Sequence, residues 1–189
     1  DDRFFRDLAN NLSQTSKTNL LQRGLLSHHS ELGPGGLLSF SALVQQFQTL
    51  QDPVFTIFSP YKRLPQLKLN VLKRNIAGLD LDLKTSWTRF SHPTLEDGQR
   101  LTLFPSVSAP LRNSFGYITP KFGLHYTRYS LSHGETITAE KEARGLNFDR
   151  MIPVFSLDSG VTFDRQMSIG GREYIQTLEP RVYYLYAPF

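Results

Sequence analysis

The sequence predicts an all-β, antiparallel transmembrane β-barrel segment of about eight strands. Three observations predict it. Side chains alternate between apolar and polar along most of the chain, short and long connections alternate between the alternating segments, and aromatic residues make up 12% of the chain. Successive side chains of a strand point to opposite faces, so this alternation indicates a sheet with one apolar and one polar face.

The alternation is clear in segment 117–131, where Ile118, Phe122 and Leu124 occupy one parity while Lys121 and His125 occupy the other. The first predicted strand is the weakest, because its leucines occur in adjacent pairs. A proline at position 105 falls inside another strand and predicts a bend or a bulge there. The predicted strands are 20–29, 37–50, 66–76, 80–90, 100–112, 117–131, 152–164 and 176–189.

The predicted connections differ in length in a regular order. Short connections at 31–36, 77–79 and 113–116 alternate with longer ones at 51–65, 91–99 and 132–151, and only the connection 165–175 departs from the order. Transmembrane barrels have short periplasmic turns and longer extracellular loops. We therefore expect segment 132–151, which carries charges of both signs, to lie outside the cell.

Aromatic side chains lie near many predicted strand ends, among them Trp87, Phe90, Tyr117, Tyr129 and Tyr184. Barrels place aromatic girdles at the two membrane–water interfaces, which is the interpretation we favour. The alternative is that aromatic residues are simply good strand formers.

Composition excludes several classes of protein. The 189 residues contain no cysteine, which excludes a disulfide framework and cysteine-based metal sites. No apolar run is long enough for a transmembrane helix. The net charge of +4 suits an anionic partner, but the basic residues are scattered, which argues against nucleic acid. The opening Asp1-Asp2-Arg3 is not a signal peptide, so we expect a longer precursor, and we expect residues 1–189 to belong to one barrel domain without a second domain.

No residue pattern indicates catalysis, so the sequence predicts no enzyme, no cofactor and no metal site. Adjacent His28 and His29 should point to opposite faces, and neither can easily share an ion with the other. Paired carboxylates such as Asp80 and Asp82 favour a solvated lumen wall over acid–base chemistry. Glu179 and Arg181 are two residues apart on one predicted strand, so both side chains should face the lumen. There they form either an exposed pair that adds little stability or a brace between the wall and neighbouring strands. The lumen-facing structural candidates are Lys121, His125, Asp158, Asp164, Glu179 and Arg181.

The C-terminal residues carry a family resemblance. Gln176-Thr177-Leu178-Glu179-Pro180-Arg181, followed by Tyr184-Leu185-Tyr186-Ala187-Pro188, closely resembles a signature of the lipopolysaccharide-assembly LptD family, also called the organic solvent tolerance family. Weaker matches occur in order along essentially the whole chain. They are Phe5-Arg6-Asp7-Leu8, Leu50-Gln51-Asp52-Pro53, Tyr61 with Arg63-Leu64-Pro65-Gln66-Leu67, Phe90-Ser91-His92-Pro93 and Thr119-Pro120-Lys121 with Gly123-Leu124-His125.

The resemblance implies a function and partners. Members of the family insert lipopolysaccharide into the outer leaflet of the Gram-negative outer membrane through a large barrel plugged by the lipoprotein LptE, with a lateral seam between its first and last strands. A periplasmic jellyroll links the barrel to the other components of the Lpt bridge. The chain would be a fragment of the C-terminal barrel domain, without jellyroll, seam or disulfide cysteines, in contact with lipopolysaccharide, outer-membrane lipid and an LptE-like plug.

Two alternatives remain open from the residues alone. One is another outer-membrane barrel, either a porin with an inward-folded constriction loop or a lipid-modifying enzyme with a Ser/His/Asp set. The other is a soluble all-β binding domain, which would need a second buried face that the polar parities do not provide.

Overall fold

The computed structural model describes residues 18–51, 54, 56–132 and 147–188. These residues form eleven strands, all paired antiparallel, and no helix. Within these ranges no helix is long and apolar enough to cross a membrane. The strands are β1 (Asn19–Glu31), β2 (Gly36–Thr49), β3 (Lys62–Ile76), β4 (Leu79–Ser91), β5 (Asp97–Ser108), β6 (Leu111–Arg112), β7 (Gly116–Ser132), β8 (Asn147–Val161), β9 (Phe163–Ile169), β10 (Arg172–Leu178) and β11 (Arg181–Tyr186).

The main sheet follows the order of the chain. Its strand order is β1-β2-β3-β4-β5-β7-β8-β11, and the two-residue β6 pairs with β7. The eight strands of this path correspond to the eight predicted strands, including the weakly predicted first one, so the all-β antiparallel class is confirmed. β1 and β11 are the two edges, and the sheet is open in the described part of the chain. The closed barrel and its place in a membrane stay predictions.

Connections of different length lie at opposite ends of the strands. The short-turn end carries 32–35, 77–78 and 113–115, while the long-loop end carries 50–61 and 92–96. Ala77 and Gly78 both have positive φ angles, 51° and 85°, which is the backbone of the tightest hairpin turns. The predicted connection 132–151 is too long, because β8 already begins at Asn147; residues 133–146 lie outside the described residues.

A two-stranded ribbon extends the sheet at the short-turn end. β9 and β10 pair only with each other. Their residues are opposed with the same offset in sequence as those of β8 and β11, so no extra residue lies between the two pairings on either side. The pairing is interrupted where Val161 N donates to Pro180 O at 3.2 Å, since Pro180 has no N–H to return the bond, and Thr162 N donates instead to Phe115 O at 2.9 Å. The predicted connection 165–175 is therefore wrong, because the chain turns only at residues 170–171.

Pro105 lies inside β5 without a bulge. Leu103 pairs with Tyr126 and Ser106 with Gly123 at one unchanged register, and the pairing with β7 merely lapses at residues 104 and 105. Of the two predicted outcomes, the bulge is wrong, because the sheet leaves the proline unpaired on one side and inserts no residue; the bend stays a prediction. Irregularities of register occur elsewhere, between β2 and β3 and at both ends of the β3–β4 pairing.

The pairing assigns every strand residue to a face, since directly opposed residues of neighbouring strands lie on the same side. We call the side of Lys121, His125 and Asp158 the polar face, and the side of Phe122 and Leu157 the apolar face. Among the described residues, every buried strand side chain lies on the polar face: Gln66, Thr88, Ser106 and Thr127. Large apolar-face side chains are exposed, including Leu81, Phe122, Met151 and Val182. No second layer covers this sheet in the described residues, so the burial indicates that the sheet curves toward its polar face.

Two features depart from this division. In β1, Leu20 and Leu26 lie on the apolar face while Leu21 and Leu25 lie on the polar face, because the adjacent leucine pairs must split. Among the aromatic residues, Trp87 and Tyr184 lie on the apolar face. Phe90, Tyr117 and Tyr129 lie on the polar face, so a girdle on the apolar face would not include these three.

Candidate functional site

The structure places four of the six candidate residues on one face. Lys121 and His125 are in β7, Asp158 is in β8 and Arg181 is in β11, and the register puts all four on the polar face. Glu179 is exposed between β10 and β11 and belongs to no strand. Asp164 lies on the β9–β10 ribbon, where Thr177 Oγ1 donates to its Oδ1 at 2.8 Å. Asp164 therefore lies on the ribbon and not on the main sheet, and its lumen-facing role stays a prediction.

Asp158 and Arg181 form a two-pronged ion pair across neighbouring strands. Arg181 Nε donates to Asp158 Oδ1 at 2.8 Å, and a terminal guanidinium nitrogen donates to Oδ2 at 2.6 Å. The Tyr117 hydroxyl donates to the same Oδ1 at 3.3 Å. The bidentate geometry fixes the orientation of both side chains and ties β8 to β11. Arg181 thus braces a neighbouring strand, but its partner is Asp158 and not Glu179.

A cavity with charges of both signs lies on the polar face at the short-turn end. It has a volume of about 600 Å³ and is lined by, among others, Arg74, Asp80, Asp82, Arg112 and Lys121. Asp82 also pairs with Lys84 at 3.3 Å. Neighbouring cations and carboxylates of this kind fit the solvated wall that the sequence predicts.

The histidines are dispersed. His28 is opposite Phe40 on the apolar face and His29 is opposite Ser39 on the polar face, so the two rings point apart, as predicted. The His125 ring lies 5.8 Å from the ring of Phe104. No group of three or more potential metal ligands occurs in the part of the chain that the structure describes.

A second cluster, which sequence reasoning missed, joins two loops at the long-loop end. His92 is almost fully buried, its Nε2 lies 2.7 Å from Ser59 O, and its Nδ1 accepts a hydrogen bond from Leu95 N at 2.9 Å. Because Nδ1 accepts, the ring carries its proton on Nε2, which donates to the Ser59 carbonyl. Tyr61 lies beside His92 with ring centroids 4.9 Å apart, and its hydroxyl donates to Glu96 O at 3.1 Å.

We call Ser59, Tyr61, His92, Leu95 and Glu96 the loop clasp. It connects the 50–61 loop to the 92–96 loop through hydrogen bonds and ring contacts. The only sequence signal for it was that Tyr61 and Phe90–Pro93 fall in two of the stretches that resemble the family.

Comparison with known proteins decides the family. The family model described as LPS transport system D matches residues 1–188. The chain belongs to the LptD family. LptD relatives named LPS-assembly protein LptD match the whole chain at 56% identity in Nitrosospira multiformis, 54% in Nitrosomonas eutropha and 35% in Neisseria meningitidis. The chain spans only 20%, 26% and 22% of the length of these three LptD proteins.

The family membership confirms the resemblance to LptD, while the place of the chain in the C-terminal barrel domain stays a prediction. The relatives' names describe lipopolysaccharide assembly and no enzymatic activity. A match to LptD over the whole chain does not favour a porin or a lipid-modifying barrel enzyme.

Proposed function

We propose that residues 1–189 form a wall segment of the outer-membrane β-barrel domain of an LptD protein, and that the longer protein assembles lipopolysaccharide into the outer leaflet of the Gram-negative outer membrane. One observation carries the proposal. Among the described strand residues, the buried side chains all lie on the polar face, while large side chains of the apolar face such as Leu81, Phe122 and Met151 are exposed. A water-soluble sheet domain has the opposite arrangement, since its apolar face packs into a core.

The apolar face supports contact with lipid. A groove of about 560 Å³ crosses it, lined mainly by apolar side chains that include Val71, Leu81, Leu83, Val107, Phe122 and Leu124. Exposure of so continuous an apolar surface to water is unfavourable, and large exposed apolar patches mark surfaces that contact a partner or a membrane. In a barrel wall, acyl chains cover this surface.

The polar face then lines the lumen. In this arrangement Lys121, His125, Asp158 and Arg181 face the lumen as structural residues, near the LptE-like plug. The short-turn end points to the periplasm, since periplasmic turns of barrels are short, and the β9–β10 ribbon points the same way. The open edges at β1 and β11 are covered by strands of the longer protein, because unpaired edges do not persist in lipid.

Depletion of the full-length protein in its own cells tests the function. We expect newly made lipopolysaccharide to stop reaching the cell surface, measured by pulse labelling and by antibody binding to whole cells. The full-length gene with Phe122→Arg should restore it poorly, because a cation on the lipid face costs about 2–4 kcal/mol near the bilayer midplane. The matched variant His125→Arg, on the polar face of the same strand, should restore it. Normal surface lipopolysaccharide after depletion would overturn the proposal.

A further inference from the structure

Uncompensated cations form a band on the polar face next to the long-loop end. We call Arg23, Arg63, Lys68, Arg100 and Arg150 the cationic band. They fall in three adjacent rows of opposed residues, and none of these rows contains a carboxylate. The first row, nearest the long loops, consists of Arg23, Gln45, Arg63, Phe90, Gly98 and Leu131. The second row consists of Leu25, Leu43, Gln66, Thr88, Arg100, Tyr129 and Phe148. The third row consists of Ser27, Ser41, Lys68, Ser86, Thr102, Thr127 and Arg150.

The other half of the polar face carries both cations and carboxylates. Toward the short-turn end, Lys84 pairs with Asp82 at 3.3 Å and Arg181 with Asp158 at 2.6 Å. Within the described ranges, no member of the cationic band has an ion pair. Charges of one sign on one face of a sheet repel each other and attract a counter-charge from outside the sheet.

Arg100 is the best-defined member of the band. Its Nε is buried and has no hydrogen-bond acceptor, and its guanidinium carbon lies 5.4 Å from the centre of the Phe90 ring. Tyr129, opposite Arg100, stacks on Phe148 with ring centroids 4.9 Å apart. Buried donors without an acceptor are rare in proteins, and a missing ion or ligand is one of the few explanations. The aromatic surroundings hold the guanidinium in place before any ligand arrives.

The pattern also restricts the ligand. The cations occupy β1, β3, β5 and β8, which are alternate strands of the sheet, so neighbouring cations are on the order of 10 Å apart. A ligand that satisfies several of them must carry more than one anionic group. The row of Arg100 also contains Leu25, Leu43 and Phe148, which offer apolar contacts beside the charge. These features fit an amphiphile with several phosphates, because guanidinium groups hold phosphate oxygens in a forked geometry.

We propose that the cationic band binds the phosphate groups of a phosphorylated glycolipid as it passes the lumen wall. The inference rests on the proposed function, because it requires the polar face to line the path of the lipid. Arg100 is the central contact, and Arg63 and Arg150 flank it on the second strands to either side.

The test uses the full-length protein in detergent. Arg63→Gln/Arg100→Gln removes two charges from the band, and Arg89→Gln/Arg128→Gln removes two charges at the same height from the apolar face. Dissociation constants are measured for lipopolysaccharide, for the same lipid after enzymatic removal of its phosphates, and for inorganic phosphate. We expect the band variant to bind the phosphorylated lipid at least about tenfold more weakly, which is about 1.4 kcal/mol. The control variant should bind it normally, and the dephosphorylated lipid should bind all forms weakly and equally.

Each other result overturns the inference in a distinct way. Equal affinity of the unaltered protein for the two lipid forms would overturn the cationic band and leave the proposed function intact, whereas binding of neither form would overturn both. Tight binding of inorganic phosphate without competition by the lipid would mark a site for a free ion. Loss of a co-purifying plug protein, with lipid affinity unchanged, would make the band a protein contact. If the double variant does not assemble, Arg100→Lys decides, since it keeps the charge and loses the fork; unchanged lipid affinity in that variant overturns the role of Arg100.

Discussion

The loop clasp gives a prediction whose size follows from the structure. His92→Ala removes the hydrogen bond to Ser59 O and the ring contact with Tyr61. A net hydrogen bond is worth about 0.5–1.5 kcal/mol and an aromatic pair about as much again. The clasp should therefore open about 1–3 kcal/mol more easily. When opening is fast relative to cleavage, proteolysis follows the open population, so cleavage in the loop should accelerate roughly 5- to 150-fold.

The assay is limited chymotrypsin digestion of the assembled full-length protein, followed at the exposed Phe58. His92→Asn separates the two halves of the clasp. The asparagine oxygen replaces Nδ1 as acceptor for Leu95 N, so the 92–96 turn should keep its conformation. The hydrogen bond to Ser59 O is lost, so the 50–61 loop should open. His29→Ala is the control, since His29 is an exposed histidine on the polar face of β1. Equal rates of cleavage near Phe58 in the unaltered protein, His92→Ala, His92→Asn and His29→Ala would refute the role of the clasp in holding the loop.

Three further predictions concern assembly and topology. Arg181→Ala should lower the yield of assembled barrel, measured by heat-modifiable mobility, or the yield of its complex with the plug protein, measured by co-purification. The molecules that do assemble should still export lipopolysaccharide. Normal assembly with abolished export would place Arg181 in the transport path. An epitope tag inserted near Gly145 should bind antibody on whole cells, and a tag reached only after permeabilisation would invert the topology. The 189-residue fragment expressed alone should not give a heat-modifiable, protease-resistant monomer in detergent, because both edges of its sheet are unpaired; such a monomer would contradict this account.

Period-two alternation was sufficient to predict the main sheet. Segments such as 117–131 carry an apolar and a polar parity that the packing of the strand must respect, and β7 extends over Gly116–Ser132. The ribbon was missed because β9 and β10 carry polar residues on both parities, as in Arg165-Gln166 and Arg172-Glu173. Their strand structure comes from pairing with each other, and this leaves no alternation in either strand alone.

The site was predicted less completely, because its contacts join residues far apart in the chain. Arg181 was recognised, but its partner Asp158 depends on the register of β11 against β8, which two short segments do not specify. His92 was not among the predicted site residues, and its partners are the backbone groups of Ser59 and Leu95. Every residue except proline has a backbone donor and an acceptor, so their use in a clasp leaves no mark on the sequence.

The most direct test of the central claim compares adjacent residues on the two faces. Six variants of the full-length protein each carry one cysteine, and every other exposed cysteine is changed to serine. The six positions form three pairs of adjacent residues: Lys121 with Phe122, His125 with Leu124, and Asp158 with Leu157. Each pair differs by one residue along a strand and by the face of the sheet. A small water-soluble thiol reagent is applied to isolated outer membranes. The reagent should label the cysteines rapidly where they replace Lys121, His125 and Asp158. It should label the cysteines at the three neighbouring positions slowly, because lipid covers the apolar face. Equal labelling within each pair would contradict the barrel wall.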